Sequence, residues 1–143
     1  MRLSRFTDIA LRSVMYLGTH RERVPARVVA EAYGVSKDHV MKSLQSLSAL
    51  GIVDTELGRN GGFALCRDPE TIRLGALARA LEPSVEWAEC FSEGSTCPLT
   101  PSCLLADALD GAGRAFFDHL DGYTLADLLA ANGPRLVELR LHA

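Results

Sequence analysis

The sequence predicts a mainly α-helical fold with a small β-hairpin wing: a winged helix-turn-helix followed by a long C-terminal dimerisation helix. Three observations predict it. Two short helical patterns meet at a turn that contains Gly34, and two short strand patterns then flank a glycine-rich turn at residues 58–62. A continuous apolar stripe begins near residue 102 and extends over several helical turns.

The helix-turn-helix is marked by residues that favour helix ends. Pro25 suits the first turn of one helix, and Gly34 can end that helix in the left-handed conformation. Ser36 is a favourable N-cap for the helix that follows. We therefore expect a first short helix over 25–33 and a second over 37–50.

The second of these helices has one apolar face and one polar face. Val40, Leu44 and Leu47 share the apolar face. The polar face could enter a major groove, where Lys and Gln side chains suit base edges or phosphates. The alternative is an ordinary helical hairpin with a solvated face. The candidate DNA-binding residues here are Ser36, Lys37, His39, Lys42 and Gln45.

A hairpin directly after the two helices predicts a wing. Residues 52–57 and 63–66 have strand patterns, and the turn between them carries Arg59 and Asn60. An arginine at this tip can reach a minor groove or phosphates, although an exposed turn charge is the simpler alternative. Cys66, at a strand end, is expected to be an inert packing thiol.

The first helix of the chain is expected to start near Ser4 or Thr7, because either side chain can cap exposed N–H groups. Asp8 lies in its first turn, where the helix dipole favours a carboxylate. From the residues alone, that dipole role is the preferred interpretation of Asp8.

The charge is distributed unevenly along the chain. The net charge is −3, but residues 1–67 carry ten Lys/Arg against six Asp/Glu, a balance of +4. Residues 68–143 carry five against twelve, a balance of −7. A basic first half joined to an acidic second half favours a polyanion-binding module with a separate regulatory part. Without an export signal or a membrane-length apolar run, a cytoplasmic protein with no membrane partner is expected.

Three of the four cysteines lie between positions 90 and 103, among residues that favour turns. Clustered cysteines in a protein without an export signal favour a metal centre or redox chemistry over structural disulfides. A disulfide would use two of the three clustered thiols and leave the third unpaired. A metal or iron–sulfur centre would use all three thiols and would need one further ligand. A reactive-cysteine enzyme is disfavoured, because none of the four histidines is near a cysteine in sequence, and no catalytic residue is predicted.

The remaining patterns are helical. Residues 71–81 predict a short helix, and the stripe from residue 102 predicts a longer one whose apolar face exceeds what a small winged helix must cover. Thr124 and Asp127 resemble a capping box that opens a helix over 125–131. We expect a winged helix-turn-helix DNA-binding domain at 1–82, and a loop with the clustered cysteines followed by dimerisation helices at 83–143.

Taken together, these motifs resemble the Rrf-type winged-helix regulators over essentially the whole chain. The matching positions are the opening Arg2, Leu3, Phe6, Thr7, Asp8, Ala10, Leu11 and Arg12, the pair Val35 and Ser36, the residues Leu44, Gln45 and Leu47, the wing at 58–65, and the three cysteines.

The resemblance implies a dimeric regulator, with Cys90, Cys97 and Cys103 binding an iron–sulfur cluster. The branch of the family that regulates cluster assembly has a histidine three positions after the last cysteine, but here that position is Ala106. The chain is more similar to the nitric-oxide-sensing branch, in which an oxygen ligand comes from the partner's N-terminal helix. Asp8 matches that position. The competing ligands are Glu89 and Glu93, or a small thiol or a water molecule from solution.

The resemblance thus implies a cytoplasmic homodimeric repressor that binds double-stranded operator DNA. A 4Fe–4S cluster is the first expectation and a 2Fe–2S cluster the second, and nitric oxide, or else oxygen or redox change, is the expected signal. The alternative is a regulator on the same scaffold that uses a zinc site or thiol redox chemistry.

Overall fold

The computed structural model describes residues 3–58, 61–82, 88–99 and 102–141, with the backbone alone at 140 and 141. Its helices and strands, in chain order, are α1 Arg5–Gly18, α2 Ala26–Tyr33, α3 Lys37–Ala49, β1 Val53–Glu56, β2 Gly62–Leu65, α4 Leu74–Leu81, α5 Leu104–Asp121 and α6 Leu125–Leu141. This arrangement confirms the predicted mainly helical fold with one β-hairpin.

α1 starts directly after Ser4, whose Oγ accepts the Thr7 N–H at 3.1 Å. Ser4 is therefore the N-cap, and Thr7 is a fully buried residue of the first turn. The apolar face of α1 is buried in the core, at Ile9, Ala10, Val14 and Leu17.

The helix-turn-helix forms as predicted. Pro25 holds the N-cap position of α2, and Gly34 ends this helix in the left-handed conformation, with φ of 61°. The capping role expected of Ser36 is wrong in one respect: Ser36 holds the N-cap position of α3, but its side chain makes no capping hydrogen bond. α3 packs against α1 and α2 through a fully buried face of Val40, Ser43, Leu44 and Leu47.

The two strands pair antiparallel, with Val53 opposite Leu65. Phe63 also exchanges backbone hydrogen bonds of 2.8 and 2.9 Å with Val24, which joins the hairpin to the segment before α2. The interpretation of Cys66 as a packing thiol is wrong. Cys66 lies one residue beyond β2, is exposed, and donates its S–H to the Gly51 carbonyl at 3.4 Å.

α4 begins at Leu74 rather than at residue 71. Pro69–Thr71 instead form one 3-10 turn, with the Asp68 carboxylate accepting the Glu70 N–H at 3.0 Å. A separate turn is favoured because Asp68 and Pro69 start a helix here, while Ile72 adopts an extended conformation that stops it.

α6 opens with the predicted capping box. Asp127 N–H donates to Thr124 Oγ1 at 3.2 Å, and Thr124 N–H donates to Asp127 Oδ2 at 2.8 Å. The helix continues through Pro134, well beyond the predicted end, and packs against α1 with Leu125 and Leu136 buried. The division predicted at residue 82 stays a prediction.

None of the helices within the described ranges combines the length and the apolar character needed to cross a bilayer.

Candidate DNA-binding face and cysteine segment

The polar face of α3 is exposed along its length. Its N-terminal end presents Ser36, Lys37 and His39, and the next two turns present Lys42 and Gln45. The opposite face is locked in the core, so this polar face keeps a fixed orientation relative to α1 and α2. In the part of the chain that the structure describes, no ion pair engages Lys37 or Lys42.

A cavity of about 450 Å³ lies between this face and the hairpin. Lys37, Met41 and Gln45 line it from α3, while Arg27 lines it from α2, and the hairpin contributes residues 55–58 and 61–63. The predicted wing residues Arg59 and Asn60 lie outside the described residues. The cavity therefore opens between α3 and the half of the hairpin nearest its tip, and Arg27 and Lys37 are two cations in its lining.

Residues 89–103, here called the cysteine segment, lie in the chain between α4 and α5. Cys90 lies in a 3-10 turn, Glu89–Phe91, whereas Cys97 lies in a stretch without regular structure. Cys103 holds the N-cap position of α5, and its side chain makes no capping hydrogen bond. All three cysteines are partly buried, and none of the chain's cysteines forms a disulfide.

The positions just before Cys90 and Cys97 are joined by a hydrogen bond. Glu89 Oε1 accepts the hydroxyl proton of Thr96 at 3.0 Å, with the Thr96 backbone N–H at 3.4 Å. Glu89 therefore joins the two ends of this turn-rich stretch. The sequence analysis missed this role, because it considers Glu89 only as a competing ligand. A glutamate seven residues before a threonine in a turn-rich stretch is only a weak indication that the two side chains form a hydrogen bond.

Asp8 lies on the half-exposed side of α1, where its Oδ1 accepts a hydrogen bond from Arg12 Nε at 2.9 Å. Across the described residues of a single chain, no three His, Cys, Asp or Glu side chains are close enough together to hold a metal ion. The structure thus places the three cysteines in one segment, but within the described residues it neither brings their three thiols together nor places Asp8 beside them.

The donor set fits an iron–sulfur cluster in its chemistry. Three thiols within one segment supply the soft ligands that cluster iron prefers, and none of them is consumed by a disulfide. A carboxylate from elsewhere is a harder oxygen ligand for a remaining iron site.

The helix-turn-helix and the hairpin that follows it define a winged-helix protein. The family model for Rrf2, described as an iron-dependent transcriptional regulator, matches residues 3–131. The chain therefore belongs to the Rrf2 family of transcriptional regulators.

Two relatives are HTH-type transcriptional regulators named NsrR. The one from Geobacillus kaustophilus is 41% identical over 132 residues, which cover 90% of this chain and 90% of the relative. The one from Bacillus licheniformis is 40% identical over 132 residues, which cover 90% of this chain and 92% of the relative. The resemblance drawn from the sequence motifs is confirmed, and this chain is an NsrR-type member of the family.

Solved structures share the fold at lower identity. IscR of T. potens superposes with a TM-score of 0.72 at 22% identity, covering 92% of this chain and 88% of that one. CymR of B. subtilis superposes with a TM-score of 0.65 at 21% identity, covering 92% of this chain and 98% of that one. Because the family consists of transcriptional regulators, the expectation that this chain is not an enzyme is confirmed.

Proposed function

We propose that this protein is a cytoplasmic homodimeric repressor that binds operator DNA through its winged helix and senses nitric oxide with an iron–sulfur cluster. The observation that carries the proposal is the position of three thiols in one segment between α4 and α5, in a chain whose family is described as iron-dependent. Oxygen or redox change is the second candidate signal.

On the DNA side, Lys42 and Gln45 contact base edges or phosphates in the major groove. Ser36 and Lys37 contact phosphates, because the Ser36 hydroxyl makes no capping bond and Lys37 lies beside the cavity at the hairpin. His39 extends this face at its margin. The wing residues Arg59 and Asn60 reach the adjacent minor groove or backbone.

On the sensor side, Cys90, Cys97 and Cys103 hold the cluster, and Asp8 of the partner subunit supplies the fourth ligand. When bound, the cluster supplies iron that reacts with nitric oxide or oxygen. A 4Fe–4S cluster fits three thiolates and one carboxylate, and a 2Fe–2S cluster is the alternative. Arg12 pairs with Asp8 in the single chain, so it must release or share this carboxylate when Asp8 binds iron.

Such a shared ligand explains how the cysteine segment can control operator affinity. Asp8 belongs to α1, and α1 packs directly against the recognition helix α3. A dimer reads two half-sites about 34 Å apart, so a small change in the relative position of the two recognition helices weakens binding.

Operator affinity of variants tests the DNA side. Replacing Gln45 by Ala should cost about 1–3 kcal/mol of binding free energy if Gln45 reads a base. Replacing Lys42 by Ala should weaken binding to all sequences and reduce the salt slope by about one if Lys42 contacts a phosphate. Arg114→Ala is the matched control, because it removes one positive charge from α5. Equal affinity of all three variants and the wild type would remove α3 from the DNA interface.

A further inference from the structure

The N-cap residue of α1 forms a hydrogen bond with a residue far away in sequence. The backbone N–H of Ser4 donates to Glu82 Oε1 at 2.8 Å, across 78 positions of the chain. Glu82 directly follows α4, and its backbone is extended, with φ of −75° and ψ of 127°. It is therefore the residue at which the chain leaves α4 towards the cysteine segment.

Ser4 is also the residue on which the start of α1 depends. Its Oγ accepts the Thr7 N–H at 3.1 Å, and its carbonyl accepts the Asp8 N–H at 3.0 Å. Glu82 accepts from the third polar group of the same residue, its backbone N–H. Because the acceptor is a carboxylate at a helix N-terminus, both the charge-assisted hydrogen bond and the helix dipole favour this contact. Glu82 thus fixes the cap from which Asp8 projects.

The same turn of α1 contacts the recognition helix. The hydroxyl of Ser43, a fully buried residue of α3, donates to the Phe6 carbonyl in a long hydrogen bond of 3.4 Å. Thr7, the next residue of α1, is also fully buried. The first turn of α1 therefore lies between Glu82 on one side and α3 on the other.

We propose that Glu82 is a positioning residue that couples the cysteine segment of each chain to the position of Asp8 in the same chain. This inference rests on the proposed function, in which Asp8 serves the cluster of the partner subunit. Displacement of one cysteine segment moves Glu82, and with it the carboxylate on which the other cluster depends. Glu82 thereby makes the two cluster sites of the dimer interdependent.

Loss of visible colour in air, starting from anaerobically prepared protein, tests this coupling. In the wild type, loss of the first cluster should speed loss of the second, so bleaching accelerates as it proceeds. Glu82→Ala should give a single exponential, because the two sites then respond independently. Glu82→Gln should restore the accelerating course, since its amide oxygen can accept the same Ser4 N–H.

Amide hydrogen exchange of the cluster-free protein provides a second measurement. Glu82→Ala should speed exchange at Thr7 and Asp8 while leaving the buried centre of α3 unchanged, and Glu82→Gln should not. A single-exponential course in the wild type, an accelerating course in Glu82→Ala, or unchanged exchange at Thr7 and Asp8 would overturn the coupling while leaving the proposed cluster intact. Colourless wild-type protein would overturn the proposed function, and the coupling with it.

Discussion

At the scale of single residues, Asp8 has two different roles open to it. If Asp8 is the fourth ligand, Asp8→Ala should still assemble a cluster on three thiolates, with an altered visible spectrum and faster loss in air. If it only complements the helix dipole, the cost should be about 0.3–1 kcal/mol of stability, with the spectrum unchanged. Asp38→Ala is the matched control, because Asp38 lies in the first turn of α3.

Comparison of the two variants separates these roles. A changed spectrum in Asp8→Ala alone supports ligation, since both variants lose a carboxylate from a first helical turn. An unchanged spectrum in Asp8→Ala would contradict the ligand assignment and direct attention to Glu89 or Glu93.

The capping box of α6 predicts a pH-dependent contribution to stability. The backbone N–H of Thr124, and then its hydroxyl, lower the pKa of Asp127 below the usual 3.8. A carboxylate whose pKa is lowered in the folded state stabilises the protein at pH values above its unfolded-state pKa. This stabilisation is lost as the pH falls through the folded-state pKa. Asp127→Ala should therefore lower the Tm at neutral pH, and this difference should shrink below about pH 3.8. A Tm difference that stays constant down to pH 2 would contradict the capping role.

At the scale of elements, α4 is capped by the end of α5. Asp121 Oδ1 accepts the Ala76 N–H at 2.6 Å, and Oδ2 accepts from Arg79 at 3.2 Å. Asp121→Ala should destabilise the protein by about 1–2 kcal/mol, the usual cost of losing a helix cap, as measured by urea unfolding. Asp118→Ala is the control, because it removes only an exposed contact with Arg79 and should cost less. Equal losses in the two variants would show that the cap contributes nothing.

The features that the sequence predicts correctly are local ones. Helical periodicity, the turn at Gly34 and the Thr124–Asp127 pair all predict elements that the structure contains, because each depends on residues within a few positions of one another. The start of α4 was misplaced because Asp68 and Pro69 open their own short turn. The failure of the Ser36 side chain to cap α3 could not be read from a residue type that favours capping.

Contacts between distant residues could not be predicted in this way. The Ser4–Glu82 hydrogen bond and the cap that Asp121 places on α4 each join segments whose proximity depends on the folded core. The same limit applies to the candidate site. The exposed face of α3 follows from periodicity, whereas the Glu89–Thr96 contact inside the cysteine segment depends on the loop conformation.

At the scale of the whole molecule, α5 leaves part of its apolar stripe exposed. Leu105 is 65% exposed and Ala108 and Ala112 are also exposed, while Gly113 and Phe117 are buried on the same helix. If the stripe forms the proposed dimer interface, Leu105→Lys should shift the protein towards monomer in analytical ultracentrifugation. Asp107→Asn changes the net charge by the same amount and should remain dimeric. A dimer of unchanged stability in Leu105→Lys would place the interface elsewhere.

In the proposed function, an iron–sulfur cluster on the three-cysteine segment controls operator binding. The most direct measurement is an anaerobic titration with nitric oxide that follows visible absorption and operator fluorescence anisotropy in one sample. We expect broad charge-transfer bands that disappear in step with release of the operator. Cys66→Ser should behave like the wild type, and Cys97→Ser should lack the bands. A colourless wild-type protein that holds zinc, or one whose operator affinity does not change as the bands disappear, would show that no iron–sulfur cluster controls operator binding.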